Sequence, residues 1–437
     1  MGSSVSIRSG RLAIVAASVL TAFTGSGASA QDNSAKSASG DALSPSFELE
    51  TRVNWLNLPS WDARDTDVFT GSAGSRVTDI GLGIGYTLNL PLGEIGEQPL
   101  VLEWSGGIAG LSTDSSSRTS LAGQTGFGFS LGNTSNGQFL TAPFGTAAGS
   151  SPAEAGVEVR VQDSAGDVRT ILSNALSNPG GQITQFASSS SATGGVFAAT
   201  VTNGNTGSGV AVGAFGDNTG FTLSAAGDLS GSALVSSRTE DVTAFDQTLL
   251  LGAPITLSDG WTVTPKIGPT YRSIDRDVDF TQTLDIGASI PGVDVPEVGI
   301  AQNDQLDARY IGAIAGMSVS KQIQPDLALT LDATLGAAHL HSRYRSQYSA
   351  IIPGVSVSGF DAISETRNDV AVLAGLNAGI RYDASENVAV GFTTGIDFTS
   401  KVPTIKYVAD GGGGTTPTVD TSHAINFSAK ANITWRF

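Results

Sequence analysis

Residues 422–437 read SHAINFSAKANITWRF, and their apolar and polar positions alternate without a break. Ile425, Phe427, Ala429, Ala431, Ile433, Trp435 and Phe437 share one parity, while Asn426, Ser428, Lys430, Asn432, Thr434 and Arg436 share the other. Side chains on a strand point alternately to its two faces, so this is a strand with one apolar and one polar face. Nine earlier segments show the same period: 47–55, 76–90, 100–112, 242–255, 261–274, 306–321, 327–341, 367–382 and 388–400. The fourth is weak, with Gln247 on the face of Phe245, Leu249 and Leu251. The sixth fits either parity; Ala308, Tyr310 and Ile314 are placed outward because that turns Asp307 and Arg309 inward.

Connections between these segments alternate in length. Residues 91–99, 256–260, 322–326 and 383–387 are short and rich in turn formers; 57–75, 113–241, 275–305, 342–366 and 401–421 are long. Transmembrane barrels have an even strand number, short periplasmic turns and longer extracellular loops. A terminal strand ending on Trp435 and Phe437, with aromatic and β-branched residues spaced in twos before them, resembles the closing strand of Gram-negative outer-membrane β-barrels. The resemblance implies an all-β, antiparallel up-and-down transmembrane barrel. It also implies that Phe427, Ile433, Trp435 and Phe437 form an assembly signal met by the barrel assembly machinery, with outer-membrane lipid and lipopolysaccharide as surroundings. Ten strands are expected. Trp261 and Tyr382 fall with Trp435 and Phe437 near the periplasmic rim, and Trp55, Tyr271, Tyr310 and Phe398 near the outer rim, as two aromatic girdles.

The N-terminus adds a destination. Arg8 and Arg11 precede an apolar run, 12–23, and small residues ending at Ala30, which describes a secretory signal peptide cut between Ala30 and Gln31. Residues 31–45 then form an N-terminal periplasmic segment, 46–112 the first three strands, and 242–437 the remaining seven. The net charge of −17 becomes about −19 once the two signal arginines are removed, which argues against a nucleic-acid partner. No cysteine is present, so neither a disulfide framework nor thiolate chemistry is available.

Residues 113–241 are different material, with 21 glycines and no Trp, Tyr, His, Lys or Met. Three arrangements stay open: an ordered β-rich extracellular domain or plug, a loose surface loop, or hairpins that join the wall and raise the count to twelve or fourteen.

Parity assigns a charged interior. Glu48, Glu50, Asp79, Glu103, Asp307, Asp332 and Asp397 face Arg52, Lys266, Arg272, Arg309, Arg381, Lys430 and Arg436. In a narrow barrel these must be paired or solvated, and they could also line a solute path. His339, His341 and His423 lie at the outer rim, where the ten-stranded omptin proteases use His and Asp pairs, but no omptin motif carries over, and parity points His339 and His341 away from the lumen. Asp275, Asp277 and Asp279 lack the Gly and Glu of a calcium loop. Neither a metal nor a cofactor is expected. The expected role is non-enzymatic presentation of surface loops to an unknown ligand for binding, adhesion or envelope organisation. A porin-like channel is the alternative, and a rim hydrolase of omptin-like architecture the third.

Overall fold

Strands with one apolar face need neighbours on both edges, and here each finds them in chain order. The computed structural model describes residues 44–59, 77–96, 98–122, 229, 231–285, 298–352, 355–356, 363–409 and 415–437, together with the insert strands given below. The expected signal peptide and its expected cleavage site lie outside these residues. Ten long antiparallel strands form the wall: β1 (Ser46–Leu58), β2 (Val77–Ile95), β3 (Gln98–Ser120), β4 (Ala233–Gly252), β5 (Trp261–Asp285), β6 (Val298–Gln324), β7 (Leu327–Ile352), β8 (Ile363–Asp383), β9 (Val388–Ala409) and β10 (Thr415–Arg436). Each pairs with the next, and β10 returns to β1 in a register running from Ser46↔Arg436 to Trp55↔Phe427. The ring is closed, so no backbone edge meets the membrane.

The insert does not join this ring. β3 continues through Ser120 and β4 starts at Ala233, paired with each other, so the insert spans 121–232 rather than 113–241. Residues 113–120 are too polar for an apolar alternation to mark them, yet they need none where both neighbours are strands and the outer face is wet. Among the described residues the insert builds two antiparallel sheets of its own. One has five strands, in the order Gly126–Gly132, Gly220–Gly227, Thr206–Asp217, Ala192–Asn203 and Gln182–Ser188. The other is centred on Glu154–Asp163, which pairs with Gly137–Thr141, Gly145–Ala147 and Val168–Leu176. Its neck is fixed to the barrel by the Leu121 amide, which donates to Ser232 O at 2.9 Å, and by the buried side chains of Leu121 and Leu229.

At one end of the wall the turns are tight. Gly96 (φ 67°), Asp259 (φ 63°) and Gly260 (φ 73°) supply left-handed backbone there, and Pro91, which cannot donate a ladder bond, sits at a bulge in β2. Between this turn end and mid-strand, every strand exposes a large apolar side chain. Leu49, Leu82, Trp104, Leu249, Ile267, Met317, Leu335, Leu376, Phe392 and Phe427, one from each of β1 to β10, are 39–62% exposed. An apolar belt on all ten strands is a surface matched to lipid, not water. Trp261, Tyr382 and Phe437 stand at its turn-end margin, where Phe47 and Trp435 also stack 6.1 Å apart; Trp55, Tyr271 and Phe398 stand on the loop-end side. About 9–11 residues of strand cross a bilayer, whereas β6 and β7 have 27 and 26, so the wall rises well beyond the belt at the loop end.

Candidate functional site

The inward side chains form three tiers. Nearest the turn end is a polar cavity of about 460 Å³ lined by Glu48, Glu50, Arg52, Glu103, Lys266, Arg272, Asp332, Arg381, Asp397 and Lys430. Arg52 organises one side. Its guanidinium pairs with Glu50, reaches Asp246 Oδ1 at 2.9 Å and donates to Gly106 O at 3.2 Å. It lies against Gly85 and Gly107, where any Cβ would collide with it. Opposite, Lys266 Nζ meets Glu103 Oε2 at 2.5 Å and Asp332 Oδ1 at 3.8 Å. Arg272 donates to Thr399 Oγ1 at 3.1 Å and approaches Asp397 at 4.0 Å, and Lys430 lies 3.8 Å from Glu50. Glu48 accepts from Asn432 and Thr434 at 2.9 and 3.1 Å. Arg436 closes the turn end on Asp383 at 2.5 Å, and Arg381 also reaches Asp383, at 3.4 Å. Charges removed from water in this way need partners, and the tier supplies them internally.

Above the cavity the bore is crossed by an apolar septum. Leu56, Leu58, Leu111, Val242, Ile274, Ala308, Tyr310, Leu340, Leu373, Val402 and Ala424 are buried inward-facing residues, with Ala338 and Ala371 between them, and nine of the ten strands contribute. Tyr310 is fully buried, and its hydroxyl donates to Lys401 O at 2.9 Å.

The third tier lies beyond the membrane-spanning segments. Glu240 is held by two arginines: Arg276 at 2.7 Å through Nη2 and 2.9 Å through Nε, and Arg238 at 2.6 Å. Arg276 also donates to Pro59 O at 3.3 Å. Asp304 accepts from Tyr344 OH at 3.0 Å and Gln302 Nε2 at 2.6 Å; burial pushes its carboxyl up to about 6 against those bonds and the Arg238 charge. Val278, Leu306, Tyr344, Ile405 and Val419 pack around the cluster.

Three assignments of the sequence analysis are corrected. Even positions of β6 point inward throughout: Tyr310 is fully buried, while Ile311 is 64% exposed. Asp307 and Arg309 therefore stand on the outer wall, not in the lumen, and Tyr310 belongs to the septum, not to a girdle. Leu306, Ala308 and Tyr310 are apolar because they fill the bore above the membrane. Asp79 has inward parity, opposite Leu56, where its carboxylate accepts from the Ile80 amide. Asp246, Arg238, Glu240, Arg276 and Asp304 were missed. The four beyond the septum fall outside the apparent strand ends, and only the i, i+2 spacing of Arg238 with Glu240 hinted at them. His339 and His341 point out of the wall, with His341 Nδ1 2.8 Å from Asn368 Oδ1. Among the described residues no three His, Asp or Glu side chains are grouped so as to hold a metal ion. Gln247, the polar member of an apolar face, is satisfied in place: Tyr86 OH and Trp104 Nε1 both donate to its Oε1, at 2.8 and 2.7 Å.

A closed antiparallel ring with an apolar belt defines a transmembrane β-barrel, in the architecture of Gram-negative outer-membrane proteins. No family model and no curated protein matches the chain. Among solved structures it is similar to the outer membrane protease OmpT of Escherichia coli, with 9% identity and a TM-score of 0.30 over 90% of this chain and 97% of that one. It is also similar to the translocator domain of the autotransporter NalP of Neisseria meningitidis, with 10% identity and a TM-score of 0.27 over 98% and 96%. A Pseudomonas aeruginosa FadL homologue follows, with 12% identity and a TM-score of 0.23 over 90% of each chain. Likeness at this level passes no activity from those proteins to this one, and no specific family is indicated.

Proposed function

We propose that this outer-membrane barrel is a non-conducting scaffold that presents its insert and loops at the cell surface for binding, adhesion or envelope organisation, and that it is not an enzyme. On this reading the turn end is periplasmic, the signal peptide is removed after Ala30, and β10 is read by the assembly machinery. The septum carries the proposal. Five buried leucines there (Leu56, Leu58, Leu111, Leu340 and Leu373) would forfeit on the order of 10 kcal/mol if a water-filled path parted them. The paired charges below and above favour rigidity over ion transit. Planar-bilayer recording on the purified protein tests this, and the expected trace is flat at physiological salt. A steady ohmic conductance would overturn the scaffold reading in favour of the porin-like one.

A further inference from the structure

The outer wall of β6 and β7 carries a feature that the scaffold role does not use. Outward residues there fall in rows set by the ladder register: Ile311 lies opposite His339, Arg309 opposite His341, Asp307 opposite Arg343 and Gln305 opposite Arg345. The first row is the last apolar one, continuing to Tyr271 on β5 and Val370 on β8. Directly above it, Arg309 and Arg343 are exposed diagonal neighbours, about 7–8 Å apart by ladder geometry. His341 sits between them, held by Asn368. Below, exposed Ala313 and Ala337 flatten the wall between Ile311 and Leu335, 64% and 62% exposed, leaving a smooth track for an acyl chain. In a chain with 40 acids against 23 Lys and Arg, two exposed guanidinium groups flanking an imidazole on the margin of the lipid belt stand out.

We propose that Arg309, His341 and Arg343 form a binding site for the phosphates of an outer-leaflet phosphorylated glycolipid, whose acyl chains lie over Ile311 and Leu335. The proposal rests on the orientation given above, which sets the loop end outward. Guanidinium groups grip phosphate oxygens through paired N–H donors. A site at the polar–apolar boundary engages both headgroup and tail, which a soluble anion cannot do. Asp307 stands opposite Arg343 and Asp275 opposite Asp307, and these two carboxylates keep the site from being a general anion trap.

The full-length protein in detergent micelles would be titrated with purified lipopolysaccharide and with the same material after enzymatic removal of its phosphates. The phosphorylated form is expected to bind at least about tenfold tighter. The R309S/R343S variant should lose that preference. Arg118→Ser, on the wall of β3 and paired with Asp285 at 2.8 Å, should keep it. Equal binding of the two forms, an equal loss in Arg118→Ser, or inorganic phosphate competing as well as the lipid would each overturn the site. Insertion into vesicles and protease protection of the turn end are read separately. Failure there tells against the orientation, whereas a correctly oriented barrel indifferent to lipid phosphate tells against this site alone.

Discussion

The two halves of the wall are made of the same ten strands but obey opposite rules. Toward the turn end, β5 exposes Ile267 and turns Lys266 into the cavity; toward the loop end it exposes Asp277 and Asp279 and buries Ile274 and Val278. β6 does the same, with Ile311 and Met317 outward below and Leu306, Ala308 and Tyr310 inward above. No bulge separates these stretches in β5 or β6, and the parity of both strands is unchanged across them. What changes is the solvent. Lipid outside draws apolar residues outward and leaves polar ones to pair within, while water outside reverses the choice and gives the upper barrel a core like that of a soluble protein.

The contrast can be broken most severely at the upper ion cluster. Arg276→Met leaves Glu240 buried with Arg238 alone and should cost about 3 kcal/mol, the low end for a broken buried pair. Replacing the whole cluster, by adding Glu240→Leu and Arg238→Met, should restore most of that because no buried charge is then left unpaired. Urea unfolding in vesicles reads both variants, and a triple variant as unstable as the single one would mean that packing rather than charge holds the tier.

The solvent argument itself is sharpened by placing one residue on one face of one strand. Ala315→Arg, in the belt beside Ile267 and Leu335, should cost about 2–4 kcal/mol. Gln305→Arg, ten residues up on the same outward parity, should change stability by less than about 0.5 kcal/mol. Similar costs at the two positions would mean that the membrane reaches farther up the wall than the belt marks.

Acidity should act on the upper tier through Asp304. Asp304 is raised from an ordinary 3.8 to about 6, so its folded form resists ionisation. Both states are protonated below about 4, and the penalty for ionising the buried carboxyl is complete above about 6. Stability should therefore rise as the pH falls from 7 toward 4, by on the order of 2 kcal/mol. Asp304→Asn should flatten that slope. A slope unchanged in Asp304→Asn would assign the effect to other carboxylates.

The smallest expected effect on the barrel comes from the largest deletion. Replacing residues 123–228 with a short Asn-Gly linker keeps Leu121, Leu229 and the Leu121–Ser232 bond, and should leave a heat-modifiable barrel of unchanged stability that has lost surface binding. Failure to fold would show that the two insert sheets brace the wall.

Within the belt, the amino-acid sequence by itself determined nearly everything about the wall. Alternation in 261–274 and 422–437 fixes strand, face and register there, because a one-residue slip would put Lys266 or Lys430 in lipid. The short and long connections fix the up-and-down order. Above the membrane that signal fades, since a wall with water on one side and a mixed polar and apolar interior on the other imposes no single face. Tyr310, Asp307 and Arg309 were misplaced for this reason, and the strands at 113–120 and 233–241 passed for loop. Closure decided the rest: only when ten strands meet do Leu56, Leu111, Leu340 and Leu373 become one septum, and Glu240 the common partner of Arg238 and Arg276. Those contacts join residues far apart in the chain, and their geometry exists only once the barrel's radius and stagger are set.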